Sequence, residues 1–136
     1  MSEPTGALSP EDSARVAALA ADLAREGRTA ELLEFLEHGV PVDLADGDGN
    51  TLLMLASYHG HAETVAALIG RGADVDARNG RDQSPVAGAL FKGEKAVVQA
   101  LVAAGADLDA GTPSARQAAE MFGTQALLGV EPDGER

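Results

Sequence analysis

The densest run of potential ligands is Asp46, Asp48 and Asn50, three oxygen-bearing side chains at alternate positions. Such spacing can open a calcium loop, but that loop also needs glycine at its sixth place and glutamate at its twelfth. Those places hold Thr51 and Ser57, so the acids read as a polar turn. His38, His59 and His61 come with no cysteine and no positioned acid, which leaves a metal centre without a ligand set. His61 reads as a capping and packing residue at a helix start, and His38 as an imidazole near a helix C-terminus, where positive charge is favoured. Gly47 and Gly49 lack the order of a phosphate-cradling loop. Ser57, Ser84 and Ser114 sit in no nucleophile motif and fit helix starts or interiors. The sequence predicts no enzyme, no cofactor and no metal.

The aromatic residues say more. Phe35 falls in an apolar stripe, whereas Tyr58, Phe91 and Phe122 stand one or two residues ahead of Gly60, Gly93 and Gly123. At about 100° per residue, Tyr58 lies nearly opposite Leu53 and Ala56 on its helix. Tyr58, Phe91, Phe122 and Met121 then make an apolar column, with His59 and Lys92 as polar handles beside it. Aromatic anchors ringed by polar groups are what protein interfaces use. The competing use is packing: Phe91 filling space between Ala-rich helices and Phe122 lying under a shortened end. Glu31, Glu34 and Glu37 step along one helix opposite Leu32 and Leu36 and read as a solvated face.

The elements that position these residues repeat. Ser9, Pro10, Glu11 and Asp12 form a strong helix start, with a capping hydroxyl, proline in the first turn and acids at the positive end of the dipole. That helix is expected to run to about Arg25 and stop at Gly27; a second spans 28–38 and closes at Gly39 before Pro41. Gly27, Gly60 and Gly93 are 33 residues apart, as are Gly39, Gly72 and Gly105. Leu32/Phe35/Leu36, Val65/Leu68/Ile69 and Val98/Leu101/Val102 follow the same step, each with the i, i+3, i+4 spacing of a buried stripe. Asp43, Asp76 and Asp109 repeat too. Ser114, Ala119, Gly123 and Leu127/Leu128 continue the series at a step of 30, with Thr112 and Pro113 expected to supply cap and first turn. The expected layout is a lead over 1–8, a repeat domain over 9–129 with units at 13–45, 46–78, 79–111 and a truncated 112–129, and a polar tail over 130–136.

The chain resembles the ankyrin repeat. The residues that carry the likeness are Asp48-Gly49-Asn50-Thr51-Leu52-Leu53, Ala56, Gly60-His61 and Gly72-Ala73-Asp74-Val75-Asp76, then Gln83-Ser84-Pro85-Val86, Ala89, Gly93 and Gly105-Ala106-Asp107-Leu108-Asp109. It departs from the family at Met54 and Ala87, where the family histidine is missing, and at Asp82, which stands where the preceding unit has Gly49. The resemblance implies an all-α solenoid of about four helix-turn-helix units with short β-turn fingers. It also implies a concave groove and fingertips that bind a protein, which here puts Asp48, Asn50, Arg78, Arg81 and Gln83 on the fingers beside the Tyr58/Phe91 column.

Charge bounds the partner. Ten Lys and Arg against 22 Asp and Glu give a net charge of −12, which excludes nucleic-acid backbones and anionic membrane surfaces and favours a neutral or basic protein. Eight of the ten cations are Arg, a bacterial, GC-rich bias. The first residues have no apolar run, and no stretch approaches the roughly 18 residues that span a bilayer, so a cytoplasmic monomer is expected. The alternative function is an acidic inhibitor or immunity-type protein that neutralises a basic partner by charge. Small side chains fill much of the apolar fraction, so each buried residue contributes modestly and close helix approach must compensate.

Overall fold

The computed structural model describes residues 9–128. The expected lead over 1–8 and tail over 130–136 lie outside them. Seven helices follow in order: α1 Pro10–Glu26, α2 Thr29–Glu37, α3 Leu52–Tyr58, α4 Ala62–Gly70, α5 Pro85–Lys92, α6 Lys95–Ala103 and α7 Ala115–Phe122, then a 3₁₀ turn Gln125–Leu128. Each odd helix pairs with the element that follows it, and the pairs stack in sequence. The odd helices thus form one layer and α2, α4, α6 and the 3₁₀ turn a second. Among the described residues there is no strand, only an isolated bridge between Ala45 and Thr51 at the base of a finger. The fold is an all-α repeat solenoid.

The core lies between the layers. Leu53 and Ala56 of α3, Val86, Ala89 and Leu90 of α5, and Ala115 and Ala119 of α7 face Val65, Leu68, Val97, Val98 and Leu101 from the second layer, all buried. Burying one Val or Leu stabilises by about 1.5–3 kcal/mol. The stripes are less enclosed than their spacing suggested: Leu36, Ile69 and Val102 are half-buried in all three, and in the first Phe35 is half-buried as well, where its equivalents Leu68 and Leu101 are buried. The difference at Phe35 is positional, since α2 has a second-layer neighbour, α4, on only one side among the described residues.

The inner helices start with a hydroxyl. Ser9, Thr51, Ser84 and Ser114 each accept a bond from the backbone N–H three residues on, at 3.1, 3.1, 3.2 and 3.2 Å. These caps satisfy donors that a helix start otherwise leaves open, and they supply a start for α3 and α5 without the family histidine. The fourth start differs from the sequence-based expectation. The cap is Ser114, completed by Gln117 Oε1 accepting the Ser114 N–H at 2.9 Å. Thr112 instead donates its hydroxyl to Asp82 Oδ2 at 2.7 Å and its N–H to the Asp82 carbonyl at 2.8 Å, which ties this segment to the preceding finger.

His61 also departs from expectation. It makes no capping bond to its own helix. Its Nε2 donates back across the stack to the Arg25 carbonyl at 2.7 Å, closing the exposed end of α1. The imidazole lies over Gly27, where φ is +72° and an added Cβ would stand 2.5 Å from His61 Nδ1. Two constraints therefore meet at Gly27, a left-handed backbone and an occupied space.

Gly27→Ala is expected to cost the roughly 1–2 kcal/mol of a left-handed alanine plus about 1–2 kcal/mol for displacing the His61 bond. Gly72→Ala, at φ +90° with nothing within 4 Å of an added Cβ, should cost the backbone term alone. In urea unfolding, the excess at Gly27 should vanish when His61 is Ala; fully additive costs would show that the imidazole does not occupy that space.

Candidate functional site

The period that builds the core also builds a surface. Tyr58, Phe91 and Met121 occupy equivalent places on α3, α5 and α7, 33 and 30 residues apart. Each stands two residues before the glycine at the end of its helix, where the core face has turned away. Tyr58 and Phe91 stack with centroids 6.4 Å apart and planes 10° from parallel. Phe122 is in register with His59 and Lys92 rather than with Tyr58, yet its ring meets Phe91 edge-on at 5.0 Å. Exposure of Tyr58 is 42%, of Phe91 54%, of Met121 66% and of Phe122 43%. Four large apolar side chains left this open on one face form a patch that water solvates poorly.

Beneath them the chain is hollowed. Leu55, Gly88 and Ala118 are again equivalent positions, and with Met54 and Ala87 they floor a groove of about 520 Å³. Gly88 gives the groove depth: a Cβ there would reach within 3.6 Å of the Tyr58 ring.

The opposite wall is made by the fingers. Asp46 Oδ1 accepts the N–H groups of Asp48 and Asn50, both at 2.9 Å. Asn79, one repeat later, accepts from Arg81 and Gln83 at 2.9 and 3.0 Å. Such side-chain-to-backbone bonds rigidify a turn. The fingers are joined by Asn79 Nδ2 donating to Asn50 Oδ1 at 2.8 Å and by the Gly80 N–H donating to the Asp48 carbonyl at 2.9 Å. Asp82 takes φ +62°, the one non-glycine with positive φ among the described residues. Aspartate tolerates this conformation better than most residues, and its carboxylate is held by Thr112 and by Arg78 at 3.3 Å.

Beside the fingers and the groove two groups are shifted. Burial pushes the Asp46 carboxyl up, but the N–H groups of Asn50 and Asp48, the Asn50 amide and Arg25 outweigh it and hold the group below the usual carboxylate range. The His59 imidazole is lowered, first by burial and then by the charges of His61, Arg25 and Lys92. His59 meets the Tyr58 ring edge-on at 5.7 Å, and Lys92 Nζ lies 4.9 Å from its centroid.

Of the residues singled out by sequence, Asn50, Tyr58, Arg81, Gln83, Phe91, Met121 and Phe122 line the groove together. His59 and Lys92 lie at its margin against Tyr58. Arg78 is turned to Asp82, and Asp48 is an exposed fingertip. The floor residues Leu55, Gly88 and Ala118, and the finger organiser Asn79, were missed. The 33-residue step contained them, but small or apolar residues read as core. Among the described residues no cluster of His, Cys, Asp or Glu could hold a metal ion, and no helix is long and apolar enough to cross a membrane.

A family model of ankyrin repeats, in three copies, matches residues 18–112. Over 44 residues the chain is 54% identical to the ankyrin repeat protein PA3287 of Pseudomonas aeruginosa. The match covers 32% of this chain and 26% of the relative, so the chain spans about a quarter of that protein's length.

Because the His59 imidazole is lowered in the fold, the folded state binds fewer protons there than the unfolded chain. Its contribution should therefore destabilise the fold as pH falls below the ordinary imidazole value of about 6.5. NMR titration should place the His59 midpoint below that value, and Lys92→Ala should move it up; no movement would remove Lys92 from the causes.

Proposed function

The chain belongs to the ankyrin-repeat family, a family of protein–protein interaction modules, and from that premise we propose that it is a non-enzymatic module capturing a partner protein in its groove. The observation that carries this reading is the convergence of Tyr58, Phe91, Met121 and Phe122, all exposed, on one preformed concavity. A rigid stack bordered by tied fingers loses little conformational entropy on binding, so apolar contact is retained as affinity. Asn50, Arg81 and Gln83 at the finger wall, with His59 and Lys92 at the other margin, provide polar contacts around the anchors. Asp48 and Arg78 extend the surface along the fingertips.

The second reading, an acidic inhibitor acting by charge, draws on the net charge of −12. It is also supported by the exposed acids of the turns after α2, α4 and α6, which include Asp43, Asp74, Asp107 and Asp109. The two readings differ in where contact occurs and in how salt acts.

Truncating Tyr58 and Phe91 together to Ala is expected to weaken partner capture by about tenfold or more. Since both rings are largely exposed, unfolding free energy should change by under about 1 kcal/mol each. Binding that survives these changes yet collapses between low and high salt would overturn the groove in favour of the charge reading.

A further inference from the structure

Charge around the groove is distributed unlike charge on the chain as a whole. The chain has 22 Asp and Glu against 10 Lys and Arg, yet no acidic side chain is among the described residues lining the groove. Elsewhere most cations are engaged: Arg15, Arg25, Arg28, Arg71, Arg78 and Arg116 each pair with a carboxylate, and Lys95, exposed at the start of α6, is the exception among the described residues. Arg81 and Lys92 pair with no described acid. Arg81 belongs to the finger wall, and Lys92 holds its ammonium over Tyr58 at the other margin. The helix between them, α5, has eight residues, about 12 Å at 1.5 Å per residue. None of the nearby described acids pairs with these two cations. Asp82 is held by Arg78 and Thr112, and the Glu94 carboxylate lies over Gly60. Asp48 is exposed at the neighbouring fingertip.

Resting on the reading of the groove as a protein-binding site, we propose that its occupant is a partner segment in which a large apolar residue is flanked on both sides by carboxylates. The apolar residue enters between Tyr58, Phe91 and Met121 over Gly88. The carboxylates meet Arg81 and Lys92. In an extended segment, at about 3.3 Å per residue, acids two positions before and after the anchor stand about 13 Å apart, close to the length of α5. Acids more than about 8 Å from the docked segment oppose this contact little, because they are largely screened at physiological salt. The groove rim therefore selects an acidic segment, where the total charge alone points to a neutral or basic one. Apolar contact supplies the affinity, and the rim cations supply the choice between segments.

The test uses three short fluorescein-labelled peptides, identical except for Glu, Gln or Lys placed two positions either side of a central Phe. Their anisotropy is measured with the full chain, with R81E/K92E and with Y58A/F91A, each checked for helical content. The Glu peptide should bind about tenfold or more tighter than the Lys peptide, and R81E/K92E should invert that order. A Lys peptide that binds the unaltered chain equally or better, an order that R81E/K92E leaves unchanged, or no binding of any peptide would overturn the proposal. Loss of all three peptides in Y58A/F91A without discrimination by the unaltered chain would sink only the charge preference and leave the groove standing. Undiminished binding of all three in Y58A/F91A would sink the groove itself, and this proposal with it.

Discussion

No helix pair in this chain can bury its own apolar stripe. Val65 and Leu68 are sealed because α4 lies between α2 and α6 and packs down on α3; the same holds for Val98 and Leu101 with their neighbours. Stability is therefore a property of contacts between adjacent units, as in any array of nearest-neighbour interfaces. The small residues at Ala56, Ala89 and Ala119 follow from this dependence. They contribute little area individually but let inner helices approach closely enough for the second layer to close over them.

That dependence explains the backbone details at the ends of the helices. Gly27 leaves space for a side chain that belongs to the next unit, His61, and Gly60 does the same for Glu94. The glycine is needed for its φ and equally for what stands above it. The exit turns are joined in the same manner: Asp43 Oδ1 accepts the Asp74 N–H at 2.9 Å, and Asp76 Oδ1 accepts the Asp107 N–H at 2.7 Å. At the equivalent third position, Asp109 Oδ1 takes Arg116 Nε at 3.1 Å instead.

Most of the fold was legible in the sequence because local signals and the global period agree. Hydroxyl caps, left-handed glycines and i, i+3, i+4 stripes recur together, and each implies the others. What could not be read were partners distant along the chain. His61 looks like the cap of the helix it precedes, and only the stacked structure reveals that its acceptor lies 36 residues earlier. Thr112 looks like a cap because Pro113 follows it, yet the finger one unit back holds its hydroxyl. The groove was half visible. Tyr58, Phe91 and Met121 stood out as large residues off the core face, whereas the floor did not, since an absent side chain at Gly88 leaves no mark in an apolar pattern.

The aspartate links between exit turns have a consequence for how such a chain can change. Donor and acceptor recur at the same offset in the first two junctions, so at this link those two junctions are chemically alike. A whole unit could be gained or lost by recombination while every surviving unit met a neighbour of the kind it already fits. Array length can then vary in steps of one repeat, and each step adds or removes one set of groove-facing side chains such as Tyr58 or Phe91. The residues that join the units and those that face the groove are different letters of the same 33-residue word.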